Sequence, residues 1–390
     1  MKAKYLFLIF LLCFVLLGCS GGKKVIVFGG DVSLGGVGEE LVKLYNEHNP
    51  DIEIKLAPGK GESADVFAAA ITQTAVLAEK NKALPLEKML KAAEVEADKY
   101  VATAFSTVKY KDEIYGLPWY TDVGILYYRK DVVPYPPTTW DELVFLSQNY
   151  RDEKLWGIVF EGKQGEALVC NVFEYFWSNG GGVASGEGQR LYLQSEKNVD
   201  ALRFLVNVVH WHQIAPEDVL EFSNQDAKQM FLDGRAIFMR GWSDALSEID
   251  PRKVSVTDLP KGPEGSGGVS CLGGQNLYIN PKTKYKNEAF AFIRWLTGEE
   301  AQKIIALQAG ELPALRETYT DYEVQERKPY FSEVLPILYQ ARTRPQLEYY
   351  DAVSAILQNC FYMPMQKKAA VEASLKKATE RVNKLINKEN

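Results

Sequence analysis

The run Val25-Ile-Val-Phe28, a Gly-rich turn, a helical stretch from Glu39 to His48 halted by Asn49-Pro50, and a second run Ile52-Glu-Ile-Lys-Leu56 follow one another directly. Short apolar or alternating runs build strands, whereas apolar spacing of three and four builds a helix. Strand, helix and strand in that order form a βαβ unit, whose strands run parallel with helices on the faces of the sheet. Further strands are expected at Ile125 to Arg129, Trp156 to Phe160, Ala236 to Met239, Val254 to Thr257 and Asn276 to Ile279. Helices alternate with them. Thr139-Trp-Asp-Glu142 reads as a capping box opening a helix to about Gln148. Ser195 to His212, Phe290 to Leu296 and Glu299 to Leu307 carry helical spacing, and the last third is helical, ending in the charged stretch Lys367 to Lys388.

Residues 1 to 19 stand apart from this pattern. Lys2 and Lys4 precede an apolar run from Tyr5 to Leu17, and Leu16-Leu17-Gly18-Cys19 closes it. About a dozen apolar residues fall short of the roughly 20 of a membrane span, and a basic start with a short apolar middle describes a secretory signal. Residues 1–18 are expected to be removed, with Cys19 of the lipobox-like ending acylated as a lipid anchor. A plain signal peptide or an uncleaved anchor is the alternative. Each reading puts the remainder outside the cytoplasm. Without residues 1–18 the chain has 372 residues (390 − 18), beyond the roughly 100 to 200 of one domain, so two lobes are expected.

Removing Lys2 and Lys4 takes the net charge from −6 to −8. Nucleic-acid binding needs clustered Lys and Arg, and here acids are in excess. Beyond Cys13 and Cys19 only Cys170, Cys271 and Cys360 remain, an odd number at irregular spacing that is neither a disulfide framework nor a zinc pattern. All three are expected to be small buried residues. His210 and His212 diverge on a helix, which argues against a histidine metal site. No cofactor is expected.

Three stretches look like passages between lobes: Tyr115-Gly-Leu-Pro118, Leu259-Pro-Lys-Gly-Pro-Glu-Gly-Ser-Gly-Gly268 and Gly310-Glu-Leu-Pro313. Beside the first lies Trp119-Tyr120-Thr121-Asp122. Rings cover the apolar face of a sugar while a carboxylate accepts from its hydroxyls, so this set suits a sugar site, against the plainer reading of rings as lobe packing. Trp242 after Arg240-Gly241, and Arg344-Pro345 with Tyr349-Tyr350, are similar cases. The turn Gly29-Gly-Asp-Val-Ser-Leu-Gly-Gly-Val-Gly38 fits neither the dinucleotide nor the P-loop spacing and reads better as a loop lining a cleft. No Gly-x-Ser-x-Gly elbow is present, and no catalytic residue is assigned.

Ile114-Tyr-Gly-Leu-Pro-Trp-Tyr-Thr-Asp-Val-Gly-Ile-Leu-Tyr-Tyr-Arg-Lys-Asp131, followed by Pro-Pro-Thr-Thr-Trp-Asp-Glu-Leu143, resembles the extracellular solute-binding proteins of sugar ABC importers. Gly162 to Gly181, Leu272-Gly-Gly274, and Arg344-Pro345 with Tyr349-Tyr350 resemble their trehalose/maltose-binding branch. The resemblance covers most of residues 100 to 388 and more loosely 24 to 99. It implies a periplasmic-binding-protein-like α/β fold of two lobes joined by a multi-strand hinge, with an interlobe cleft. The lobes are expected at 24–121 plus 260–314 and at 122–259 plus 315–390. It also implies a monomeric, membrane-anchored receptor on the periplasmic or cell-surface face, which passes a disaccharide such as trehalose or maltose to the membrane subunits of a permease.

Carried over by position, the ligand-binding set is Tyr120, Asp122, Trp242, Gly274 and Arg344, with Gln275 where relatives carry tryptophan. The first lobe departs from the family pattern. Ala70 stands where relatives have an acid after an Asp-Val-Phe strand, and only Ala57 to Ala64 separates the second strand from Asp65, so this lobe looks trimmed. The glutamate that usually opens the first helix has only Glu39 or Glu40 as candidates. Two rival readings stay open: a glycoside-processing enzyme, if two carboxylates face each other across the cleft, and a degenerate binding protein acting as a sensor or adaptor, which these losses favour.

Overall fold

The computed structural model describes residues 23–185 and 190–389. Cys19 and the expected signal segment lie outside the described residues. Strands β1 (Lys24–Gly30), β2 (Ile52–Pro58), β3 (Val66–Ala70), β4 (Gly116–Val123), β5 (Ile125–Arg129), β6 (Trp156–Phe160), β7 (Ala236–Gly241), β8 (Val254–Thr257), β9 (Leu272–Ile279) and β10 (Leu312–Pro313) divide between two sheets. The first has the order β10-β4-β9-β3-β1-β2 and the second β8-β5-β7-β6. β1 runs parallel to β2 and β3, as the βαβ opening requires, while β9 runs antiparallel to both β3 and β4.

The helices that position the site are α1 (Val37–His48), α2 (Trp140–Tyr150), α3 (Glu166–Ser178), α4 (Glu196–His210), α5 (Lys286–Leu296), α6 (Tyr330–Gln340), α7 (Tyr350–Met365) and α8 (Val371–Glu389). Thr139 and Ser195 accept from the backbone N–H of Glu142 and Asn198 and start α2 and α4, the first where sequence capping placed it and the second where the helical spacing begins. Glu142 reaches back to Thr138 N and Oγ, both at 2.7 Å, rather than to Thr139. The helix expected from Glu299 to Leu307 is α-helical only to Ile304. It widens into a π turn over Ile305–Ala309, ended by Gly310 at φ +75.

Each sheet has its own core. Ile26, Phe28, Trp119, Phe292 and Ile293 pack around the first, and Phe160, Phe173, Phe176, Phe238 and Phe361 around the second. A third cluster, including Val123, Ile125, Met239, Leu272 and Leu312, fills the space where strands pass between them. β4 and β5 are nearly continuous through Gly124, so one passage falls there.

The Gly/Pro-rich stretch expected as another passage is strapped to second-sheet helices instead. Trp140 N donates to Lys261 O at 3.0 Å, Gly262 N to Ser178 O at 2.9 Å and Val269 N to Ser178 Oγ at 2.9 Å. A Cβ on Gly265 or Gly268 would sit 1.8 Å from Ser178 O or 1.5 Å from Leu259 O, so these glycines permit close backbone packing rather than bending. The passage itself falls at Cys271–Leu272. Among the described residues no helix is long and apolar enough to cross a membrane.

Candidate functional site

Strand alternation sorts the aromatic run on β4. Trp119 is fully buried, with its ring edge-on to Phe28 at a 5.7 Å centroid distance, so it belongs to the core. Tyr120 and Asp122 emerge half-buried on the other face. Across the ladder Gln275 pairs with Tyr120, Gly274 with Thr121 and Gly273 with Asp122. Gly274 has φ +106, and a Cβ there would stand 2.3 Å from Tyr120 O. Only glycine satisfies both constraints. Ala70, the residue found in place of the family acid, pairs with Gln275 from the other side.

Asp122 is fixed through one oxygen. Ser243 N at 2.9 Å, Ser243 Oγ at 2.6 Å and Val123 N at 2.8 Å all donate to its Oδ1. Burial nevertheless pushes its pKa up to about 6, with Asp244 adding repulsion against the opposing bonds from Ser243 and Val123. Trp242 precedes Ser243, and its ring would touch a Cβ on Gly273 at 3.2 Å. The Arg240 guanidinium lies 4.1 Å from the Trp242 ring centroid and is itself held by Glu174, Nε to Oε2 at 2.8 Å and Nη2 to Oε1 at 2.7 Å. The indole is therefore backed by a rigid, buried, bidentate ion pair.

Tyr120, Asp122, Trp242, Gly274 and Gln275 thus meet on the floor formed by β4 and β9. Gln275 Oε1 is buried without a partner among the described residues, an acceptor left on that floor. Arg344 lies alongside and is 6 % exposed. Its Nη2 donates to Leu272 O at 3.4 Å and its Nη1 to Glu166 Oε1 at 2.6 Å, and Glu166 also accepts from Tyr350 Oη at 2.5 Å. Nε is unpartnered among the described residues, so this guanidinium mainly ties Glu166 of α3 to the start of β9.

Sequence reasoning missed the carboxylates that surround this floor. Glu311 directly precedes β10, where Leu312 and Pro313 pair with Thr121 and Tyr120. Burial, and then the negative charges of Asp122, Asp244 and Asp31, push Glu311 up to about 8, so it carries a proton at neutral pH. Burial together with Glu311, Asp31 and Asp122 likewise pushes the Tyr120 hydroxyl upward. Asp31 comes from the Gly-rich turn after β1, in keeping with the reading of that turn as a cleft lining. Asp244 follows Trp242 and accepts from Lys228 Nζ at 2.9 Å, which also reaches Glu248 at 2.7 Å. The available signal was a charged residue inside the apolar hinge segment Gly310-Glu-Leu-Pro313. Glu39 and Glu40 are exposed on the first turn of α1, where Glu40 accepts from Gln308 Nε2 at 3.0 Å. Among the described residues no group of three or more His, Cys, Asp or Glu is placed to hold a metal ion.

Rings can cover apolar ring faces, and the carboxyls from three separate segments around this ionisable floor can exchange hydrogen bonds with hydroxyls. The family model for bacterial extracellular solute-binding proteins matches residues 41–331. The chain is 30% identical over 337 residues to a probable ABC transporter-binding protein of Deinococcus radiodurans, covering 81% of this chain and 79% of that one. It is 26% identical over 364 residues to a maltotriose-binding protein of Pyrococcus abyssi, covering 88% and 76%. Among solved structures it matches maltose-bound MalE3 of T. maritima with a TM-score of 0.82 at 28% identity, covering 93% of this chain and 99% of that one. It also matches the substrate-binding protein Lmo0181 of Listeria monocytogenes, in complex with cycloalternan, with a TM-score of 0.82; at 20% identity, covering 94% and 100%, that likeness carries the fold alone.

Proposed function

This chain belongs to the bacterial extracellular solute-binding proteins, the extracytoplasmic sugar-binding components of ABC importers, and we propose that its ligand is a disaccharide of the trehalose or maltose class. The observation that carries the proposal is the meeting of Tyr120, Asp122, Trp242, Gly274 and Gln275 on β4, β9 and the segment after β7. In this reading Trp242 and Tyr120 cover sugar ring faces. Asp122 accepts from a hydroxyl through Oδ2, Gln275 Oε1 accepts another, and Arg344 contributes Nε. Glu311, protonated, is able to donate. The MalE3 structure of T. maritima, bound to maltose, supports a ligand of this size.

The lobes we assign are 24–123 with 272–314 and 124–271 with 315–390, the first boundary set at the end of β4 and residues 260–271 placed in the second lobe because they are strapped to α2 and α3. An open form binds the sugar on the hinge floor, the lobes close over it, and the closed face is what the permease subunits recognise. Cys19, acylated after removal of residues 1–18, would tether a monomer to the membrane surface.

The test is thermal unfolding against a panel of mono- and disaccharides, followed by calorimetry on any hit. A ligand of the native state raises the midpoint. Loss of the Trp242 ring in Trp242→Ala should weaken binding roughly tenfold or more. No shift with any sugar would leave the sensor or adaptor reading standing. Release of monosaccharide from trehalose or maltose would favour a glycoside-processing enzyme, for which Glu311 and Asp122 supply an acid and a carboxylate.

A further inference from the structure

Cys170, Cys271 and Cys360 are all buried, as expected of them, and carry free thiols. Their positions separate them. Cys170 lies on α3 one turn before Glu174, and residues four apart share a helix face. Glu174 Oε1 accepts from the backbone N of Cys271 at 3.0 Å, which brings Cys271 onto the face that carries Cys170. Cys271 Sγ donates to Leu272 O at 3.7 Å, Cys170 is among the groups acting on the Cys271 thiol, and both side chains belong to one packed cluster. Cys360 also packs in that cluster but sits on α7, where Arg381 and Lys377 are the charges acting on it.

We propose that Cys170 and Cys271 form an intramolecular disulfide as the chain folds outside the cytoplasm, joining α3 to the residue at which the chain passes into β9. The proposal rests on the extracytoplasmic setting of the family, where disulfides form and persist. The partner that supplies oxidising equivalents is a disulfide-bearing protein or glutathione disulfide. One cysteine thiolate attacks that disulfide and expels a thiolate, giving a mixed disulfide. The second cysteine thiolate then attacks the mixed disulfide and expels the other thiolate. Two protons and two electrons leave the cysteine pair, and the oxidant ends as two thiols. The reaction belongs to folding, before the pair is enclosed. Once enclosed at 1 % and 0 % exposure, the Cys271 thiol is pushed well above its ordinary range by burial and by Cys170, which suppresses the attacking thiolate. A bond formed earlier is shielded from reductants by the same burial.

The test is a peptide map of the full chain exported into an oxidising bacterial periplasm. The chain is unfolded under acid quench, alkylated without reductant and digested. The expected result is a linked pair of peptides carrying Cys170 and Cys271, lighter by two hydrogens than their sum, which separates on reduction while Cys360 is alkylated throughout. Recovery of Cys170 and Cys271 both alkylated without reductant overturns the proposal, as does a link from either one to Cys360. The outcome does not depend on whether the cleft binds a sugar.

Discussion

Glu311→Gln should make the protein more stable at alkaline pH and leave it nearly unchanged in acid. Glu311 moves from an ordinary 4.5 to about 8 in the folded chain, because burial and three neighbouring carboxylates disfavour its charge. The folded state then binds this proton more tightly than the unfolded state. The associated stability is fully present below about 4.5 and is lost as pH rises through about 8. At about 1.36 kcal/mol per pKa unit, the change between pH 5 and pH 9 amounts to about 4 kcal/mol for an isolated, dry carboxyl. Water and ions entering the half-buried site screen the charge, and about 2 kcal/mol is the working figure. Glutamine keeps the shape, remains neutral and has no such loss. Asp122, pushed up to about 6, titrates in both proteins and largely cancels in the comparison. Urea unfolding at pH 5, 7 and 9 should therefore show a stability gap that opens with pH in favour of the variant. Parallel profiles, or a gain confined to pH 5, would refute the placement of Glu311 among those carboxylates.

Two further substitutions probe the scaffold of the same site. Glu174→Ala leaves Arg240 buried without its bidentate partner, and urea unfolding should report a loss of about 3 to 5 kcal/mol; the double replacement Glu174→Leu with Arg240→Met should recover most of it. Gly274→Ala forces a side chain onto φ +106 and against Tyr120 O, so the thermal midpoint should fall by the equivalent of about 2 kcal/mol or more, with β4 and β9 spread apart; an unchanged midpoint would count against the tight ladder at that position.

Much of the scaffold is written locally. Ile125–Arg129, Trp156–Phe160 and Val254–Thr257 form strands at the residues expected, because short apolar or alternating runs bounded by turn formers have few alternatives. Thr139 and Ser195 mark helix starts because a side-chain oxygen there satisfies an otherwise open N–H. The Gly/Pro-rich loop was misread because the same composition serves flexibility and close backbone packing, and only the opposing Ser178 and Leu259 carbonyls decide between them. Pro118 within an inner strand looked like a hinge signal. It is tolerated there because the ladder slips opposite it, between Gln275 and Asn276. At the site, Tyr120, Asp122 and Gly274 were legible as neighbours of a recognisable run. Asp31, Asp244 and Glu311 were not, since their meeting depends on three distant segments converging and no local pattern encodes that.

The sheet order has a consequence for how this chain is made. β9, completed at Ile279, inserts between β3 and β4, which end at Ala70 and Val123. Until residue 279 has emerged from the export machinery, two facing strand edges wait unpaired with apolar side chains exposed, the form most open to wrong partners. Completion of the first sheet is a long-range joining event, slow by topology rather than by any local weakness. A chain cut before Leu272 should accordingly remain protease-sensitive throughout residues 24–123, however well its βαβ opening forms by itself.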